Sequence, residues 1–560
     1  VPSPLVAVAA RLREGTPSAT FTDDEHQRYH WIRKHGRKMN VKNYKTNSDS
    51  FSVKAPSPER SNSGRTNKSV SKGNDIDIVV LDGDGPHWMT RWNRLFKTFG
   101  IDYLRSPMFF HIDPADRDAL LGYTYEEERQ KELWPLPGCL GKETSKHRKK
   151  KKRNAATRMS QGGHNIDERD RKDYANPSTA LFSAHCDAVV QRYQLGRDVI
   201  CQECVINIEY NTLSAFDIAS CDSGTFNSEE RLGRDGNVFK VTTDQGARYA
   251  HIVVLAVGPG NAASIPRIPG LPLAAPHDGC THTMQLGPFP PPHLKDKIAK
   301  HMTTNMLIVG GGLTAIQIAD LAIARGVDKV WLLMRGPVKV KYFDIDLEWV
   351  GKFRNVNQAA FWSADTDEER LDMFLRARNG GSLTPRYRKI LDAHVSSGRI
   401  SLHTYTTLES AKWDDNSRTW SSIITSPQVG FPALDYVVFA TGISSNIETI
   451  PFLQSMQKCY PIGIMGGLPC LNDDLMWCDD VPLFVTGRLA GLRLGPGAPN
   501  LVGARVGAER IAWNVADVLR SKENRYDTES EGEQEHGRLE DYAAARINRY
   551  DRLLNGLDDK

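Results

Sequence analysis

A chain of 560 residues with 40% apolar and 25% charged residues has room for two or three domains and the composition of an ordinary globular enzyme. Its net charge of +4 is too small at this length to make nucleic acid the main partner. Nine cysteines, an odd count spread widely, read as reduced thiols, and no stretch nears the ~20 apolar residues of a membrane span. The expectation is a cytosolic protein with no specific nucleic acid partner and no membrane span.

The first element in chain order is Pro2-Ser3-Pro4-Leu5-Val6-Ala7-Val8-Ala9-Ala10-Arg11-Leu12, whose apolar spacing predicts a helix. After a turn at Gly15-Thr16-Pro17, the segment Ala19-Thr20-Phe21-Thr22 reads as a strand leading into Asp23. Helix, strand, acid is the later part of a dinucleotide-binding fingerprint. With Pro4 in the third glycine position, Asp23 lies where a ribose-gripping acid belongs, roughly 20 residues on. Pro2, Ser3 and Asp23 are therefore candidate cofactor contacts. The strand and first two glycines of that fingerprint would precede Val1, so the chain reads as N-terminally truncated.

Residues 34–75 turn to Ser, Asn, Lys and Arg with scattered Pro, too polar to bury a core, and read as a disordered basic insert or an artefact of gene prediction. Structure is expected to resume with a strand at Ile76–Leu81, followed by an aromatic cluster from Trp88 and Trp92 to Phe110. The basic run 146–153 is open to two readings, a nuclear localisation or polyanion patch and a solvated loop. Tyr249–Val257 predicts one buried strand ending in a glycine turn at Gly258-Pro259-Gly260, and Asp435–Ala440 with Thr441-Gly442 repeats that design.

Between these two strands lies the most informative stretch. Met306–Val309 runs into Gly310-Gly311-Gly312-Leu313-Thr314-Ala315, the pattern G-x-G-x-x-A, and then into a helical pattern as far as Arg325. The first glycine lets the chain reverse. Gly312 presents no side chain to a pyrophosphate, Ala315 lets helix and strand pack closely, and the helix N-terminus faces the phosphates. Gly310, Gly312, Leu313 and Thr314 are thus candidate cofactor contacts. The next strand, Lys329–Met334, ends at Arg335, where an acid would grip a ribose hydroxyl; arginine there favours a 2′-phosphate and so NADP over NAD. Lys339 and Lys341 are candidate helpers.

With these residues in place the chain resembles the flavin-dependent monooxygenases of the lysine/ornithine N-hydroxylase and FMO-like class. The resemblance rests on Leu104-Arg105-Ser106-Pro107-Met108, the glycine turn, Gly381-Ser382-Leu383-Thr384-Pro385-Arg386-Tyr387 and Gly495-Pro496-Gly497-Ala498-Pro499-Asn500-Leu501. It implies an α/β flavoprotein with two dinucleotide-binding domains, a Rossmann-like NADP domain (295–442) inserted in a discontinuous FAD domain (1–33, 76–294 and 443–520), and a charged tail at 521–560. Gly258 and Thr441-Gly442 would mark the crossings between the two.

The same resemblance places Trp88, Trp92, Arg105 and Ser106 near the flavin, although the residues themselves leave both tryptophans equally open to being core. It sets the strand end at Gly487 against the ribityl chain, with Arg488 in place of the usual aspartate, free to contact a flavin phosphate or oxygen or to be exposed. It also makes the run to Asn500 and the helix from Leu501 to Asn514 a source of open amides for reduced flavin. Asp278–His282 matches the linker motif F-x-G-x-x-x-H only in part, without its phenylalanine.

The implied chemistry belongs to the cofactors. NADPH reduces FAD and one oxygen atom passes from O2 to a small-molecule substrate, an amine or other soft nucleophile. No catalytic side chain and no metal are singled out. A chain without its first glycine fingerprint is expected to hold FAD poorly. Two alternatives stand beside this reading: a disulfide reductase using Cys201-Gln202-Glu203-Cys204, disfavoured because the pair precedes the NADP turn and leads into a strand at Val205–Glu209, and a non-catalytic flavoprotein-like regulator resembling oxidative-stress growth inhibitors.

Overall fold

The computed structural model describes residues 3–14, 76–115, 118–136, 139, 174–212, 237–258, 262–271, 277–351 and 354–523. In chain order the elements that build the site are α1 (Ser3–Arg13), α2 (Thr179–Arg192), β1 (Val253–Leu255), β2 (Cys280–His282), β3 (Asn305–Val309), α3 (Leu313–Ala324) and β4 (Lys329–Met334). They continue with α4 (Asp367–Arg378), α5 (Pro385–Ser396), β5 (Ile400–Thr404), β6 (Tyr436–Phe439), β7 (Val481–Val485) and α6 (Leu501–Glu523).

One sheet has the order β2-β6-β3-β4-β5 and is parallel throughout. A parallel strand covered on both faces reads as a continuous apolar run, and Met306, Leu307 and Ile308 are each 0% exposed. Side chains alternate between faces along a strand. Met306 and Ile308 accordingly join the core with Ile316 and Ala319 of α3 and Leu391 of α5, whereas Leu307 faces Trp420 and Leu408 of the hairpin formed by Thr407–Asp414 and Thr419–Ser426. The helix starts are specified locally: Thr384 caps α5 by accepting the Tyr387 amide, with Pro385 in the first turn.

A second body forms around α1, α2, β1, β7 and α6, which share one core. Strand β7 pairs parallel with β1 on one side and antiparallel with Met476–Cys478 on the other. The two ends of the described chain meet here. Helix α1 lies against α6, joined by a buried Arg11–Glu509 ion pair at 2.8 Å, and Pro4 occupies the first turn of α1, where the ring is tolerated. Chain crosses between the bodies just after β1 and just after β6. The two crossings pair as an antiparallel ribbon, Ala262–Ala263 with Ile443–Ser444.

Several expectations about element limits change. The strand at Ile76–Leu81 contracts to Val80–Leu81, paired parallel with Ile200–Cys201. Tyr249–Val257 is not one strand: Gly246–Ala250 is the edge of an antiparallel sheet with Asn237–Thr243, and β1 belongs to a different sheet, because tertiary pairing overrides a continuous apolar run. The parallel sheet begins at Cys280, ahead of residue 295, and α6 continues past Asn514 and past 520 to Glu523. Pro2, Ala19–Thr22, Asp23, the insert 34–75, the basic run 146–153, Pro259-Gly260 and the tail from residue 524 lie outside the described residues. Ser3 opens α1, but its side chain is likewise outside them. Among the described residues no helix is long and apolar enough to cross a membrane.

Candidate functional site: two clefts

The first cleft is the turn from β3 to α3. Gly310 donates its amide to Leu333 of β4 at 2.9 Å and has φ +148°. A side chain there would place Cβ 2.3 Å from the Ala440 carbonyl oxygen, so only glycine lets β3 and β6 close together at this end. Gly312 precedes the helix in extended conformation, with no side chain capping the amides that follow. Those orphan donors and the helix dipole face the loop from Asn379 to Thr384. The loop approaches closely, since a Cβ on Gly381 would lie 2.8 Å from Gly312 Cα. Leu313 and Thr314 are half-buried in the first turn of α3.

Arg335 follows β4, exposed, with no ion pair among the described residues. Its two candidate helpers are engaged elsewhere. Lys339 Nζ donates to the carbonyl and side-chain oxygens of Asn379, both at 2.9 Å. Lys341 Nζ donates to the Arg378 carbonyl at 3.1 Å and pairs with Asp346 at 2.8 Å. Both lysines thus satisfy the orphan carbonyls at the negative end of α4, a role that sequence spacing does not distinguish from phosphate binding. At the crossing, the Thr441 hydroxyl donates to the Ser264 carbonyl, and Gly442 (φ +86°) accepts the Ser264 amide. Gly258, with φ +66°, turns the chain after β1.

The second cleft is assembled from four remote segments. Arg105 donates to the carbonyls of Lys341, Tyr342, Phe343 and Ser382, to Ser382 Oγ at 2.8 Å and to Asp344 at 2.7 Å. A guanidinium has five N–H donors, so these acceptors leave none for a ligand: Arg105 holds the loop 341–344 in place. Asp344 also accepts from Asn500 Nδ2 at 3.3 Å, and Asn500 Oδ1 accepts from Arg378 at 2.9 Å. These groups border a small pocket, partly open to solvent, whose walls include Arg105, Ser106, Phe110, Phe343, Asp344 and Asn500.

Arg378, at the end of α4, also donates to the Pro496 carbonyl at 3.0 Å. Burial lowers its pKa to about 10 against the opposing pull of Asp344, and Arg488 and Arg105 push the same way as burial. Arg488, beside Gly487 at the end of β7, makes no hydrogen bond or ion pair among the described residues, and its buried Nε has no partner. Burial alone depresses its pKa. Both guanidinium groups lie over the ring of Phe374, at 5.9 and 5.7 Å from its centroid. Sequence reasoning reached Arg105, Ser106, Arg488, Asn500 and Leu501 but missed Arg378, which carries no motif of its own.

The turn before α6 offers fewer donors than expected. The amides of Ala498 and Asn500 close on the carbonyls of Gly495 and Gly497, both at 2.9 Å, leaving the first turn of α6 from Leu501 onward. Trp92 stacks on Phe96 at 4.0 Å and is core, while Trp88 is half-buried with its indole N–H on the Leu195 carbonyl at 2.9 Å. Cys201 and Cys204 are free thiols, and Glu203 between them is buried against Arg248 and Thr243. Among the described residues no group of His, Cys, Asp and Glu could hold a metal ion.

No protein-family model and no curated protein matches the chain. Solved structures do. The FAD-bound cadaverine monooxygenase of desferrioxamine biosynthesis from Erwinia amylovora is 15% identical, with 79% of this chain and 89% of that one covered and a TM-score of 0.50. The reduced form of the ornithine hydroxylase of Pseudomonas aeruginosa is also 15% identical, with 79% and 92% covered and a TM-score of 0.51. The fold is that of the N-hydroxylating flavin monooxygenases, the class to which the sequence motifs pointed.

Proposed function

We propose that the chain is an FAD-dependent, NADPH-using monooxygenase acting on an amine or another soft nucleophile. The observation that carries the reading is the first cleft: a glycine turn that a Cβ would fill, on a parallel strand, with an exposed arginine at the end of the next strand that has no ion pair among the described residues. In this reading the NADP half runs between the two crossings at Ala262–Ala263 and Ile443–Ser444. The body around α1, β1, β7 and α6 is the FAD half.

The residues present fit the cofactors. Gly310 and Gly312 admit a pyrophosphate to the uncapped amides of Leu313 and Thr314, and Arg335 supplies a fork for a 2′-phosphate. Gly258 and Gly487, at the ends of the parallel pair β1 and β7, and the α6 N-terminus at Leu501 suit the second dinucleotide. When bound, the two cofactors supply hydride transfer and activation of O2. The chain's own part is to orient them: Arg105 fixes the loop 341–344, and Phe110 and Phe343 give the pocket beside it an apolar wall.

An absorbance spectrum of the purified protein, with NADPH loss, peroxide release and product hydroxylation followed together, tests this. With FAD supplied, flavin bands and O2-dependent NADPH oxidation are expected. Absence of both favours the regulator, and electron transfer to a disulfide that Cys201→Ser abolishes favours the reductase.

A further inference from the structure

Near the second cleft the charges do not balance. Arg378 interacts with both Arg105 and Arg488, and Asp344 is the carboxylate shared by Arg105 and Arg378. Arg105 uses that carboxylate directly, at 2.7 Å. Neighbouring acids are taken: Asp346 pairs with Lys341, and Asp367 with Arg370 and Arg493. Among the described residues Arg378 hydrogen-bonds only to neutral partners, a carbonyl and an amide oxygen, and the buried Nε of Arg488 has no partner. A guanidinium withdrawn from water without a counter-charge is unfavourable unless something compensates it. Two half-buried guanidinium groups, neither in an ion pair among the described residues, lie over the same buried ring of Phe374.

We infer that Arg378 and Arg488 form a clamp for an oxyanion, a carboxylate or phosphate group of a small molecule bound beside Asn500. The clamp has the required parts. Planar forks match the paired oxygens of both groups. Phe374, 1% exposed, lies beneath both guanidinium groups and against the segment after β7, where a Cβ on Gly491 would lie 2.9 Å from its ring. Asn500 joins the clamp to the cavity wall, since it accepts from Arg378 and donates to Asp344. Assignment of the anion to a substrate carboxylate or to a cofactor phosphate rests on the monooxygenase reading. The clamp itself does not.

The full chain is followed by thermal unfolding in a fluoride buffer with added inorganic pyrophosphate or glutarate, for the native protein and for Arg488→Met, Arg378→Met and Arg488→Lys. Either anion should raise the native Tm in a saturable manner. In Arg488→Met the protection should weaken at least tenfold in apparent affinity while the Tm without anion holds or rises, because a half-buried charge without an ion-pair partner among the described residues has been removed. Arg488→Lys should retain part of the protection. Loss of FAD affinity in Arg488→Met assigns the anion to a cofactor phosphate, and unchanged FAD affinity with lost glutarate protection assigns it to a carboxylate substrate. Undiminished protection in both methionine variants, or none in the native protein, overturns the clamp. Because the readout needs no turnover, a chain that never oxidises NADPH would defeat the monooxygenase reading and leave this one standing or falling by itself.

Discussion

The two clefts are built in opposite ways. The first is local: strand, glycine turn, helix and the arginine at the next strand end all fall within Asn305–Arg335, and its contacts are backbone against backbone. The second joins residues 105, 344, 378 and 500 by side-chain hydrogen bonds, with Arg488 beside them over the Phe374 ring. A cleft of the first kind tolerates change outside one short stretch. A cleft of the second kind depends on every segment that meets there, and Arg105 is where that dependence is concentrated.

The sharpest way to break the contrast is Arg105→Met. It leaves half-exposed Asp344 without its guanidinium and four carbonyls without a donor, and should lower stability by about 1.5–3 kcal/mol, the range for hydrogen bonds to a charged group. Urea unfolding measures it, and a loss below about 1 kcal/mol would mean that loop 341–344 holds itself. In the first cleft the matching test is steric. Gly310→Val brings Cβ against the Ala440 carbonyl and should cost about 3 kcal/mol with loss of NADPH binding. Gly312→Ala, whose Cβ would meet nothing nearer than 3.7 Å, should leave stability almost unchanged and weaken NADPH binding alone. Equal destabilisation by both would show that the turn is not shaped around a ligand.

Acid should separate the two regions further. His185 on α2, 2% exposed with an unpartnered Nδ1, has its pKa pushed down to about 4, first by burial and then by Arg192. The fold therefore prefers the neutral ring, while the unfolded chain takes up a proton below about 6.5. Stability is intact above that value and falls as pH drops from about 6.5 towards 4, by about 3 kcal/mol from this group. His185→Phe should flatten that part of the pH profile, and an unaltered slope would exclude His185 as its source.

The smallest effects fall on the cofactor's edge. Arg335→Asp should weaken NADPH binding by about 1–3 kcal/mol, leaving NADH binding and stability nearly unchanged, because the side chain is exposed and has no ion pair among the described residues. Lys339→Met should leave NADPH affinity alone and reduce stability by about 0.5 kcal/mol through the loss of a helix C-terminal contact. Equal affinities of the native protein for NADH and NADPH would remove Arg335 from the phosphate site, and a Lys339 effect on NADPH would restore that lysine to it.

By itself the sequence determined the parts whose physics is short-range. The apolar run Met306–Val309, the glycines after it and the helix of small and branched residues that follows leave one workable local conformation, and β4 ended at Met334 as its pattern required. Tertiary structure alone decided what distant segments do to one another. The continuous run Tyr249–Val257 was divided between two sheets, Lys339 and Lys341 went to the end of α4, and the donors of Arg105 were all taken by loop carbonyls. Arg378 and Arg488 became a pair only because α4 packs against the segment after β7. Hydrophobic period and turn chemistry act over a few residues and are written in their order; the partner of a long charged side chain is set by whichever surface folding brings within its reach.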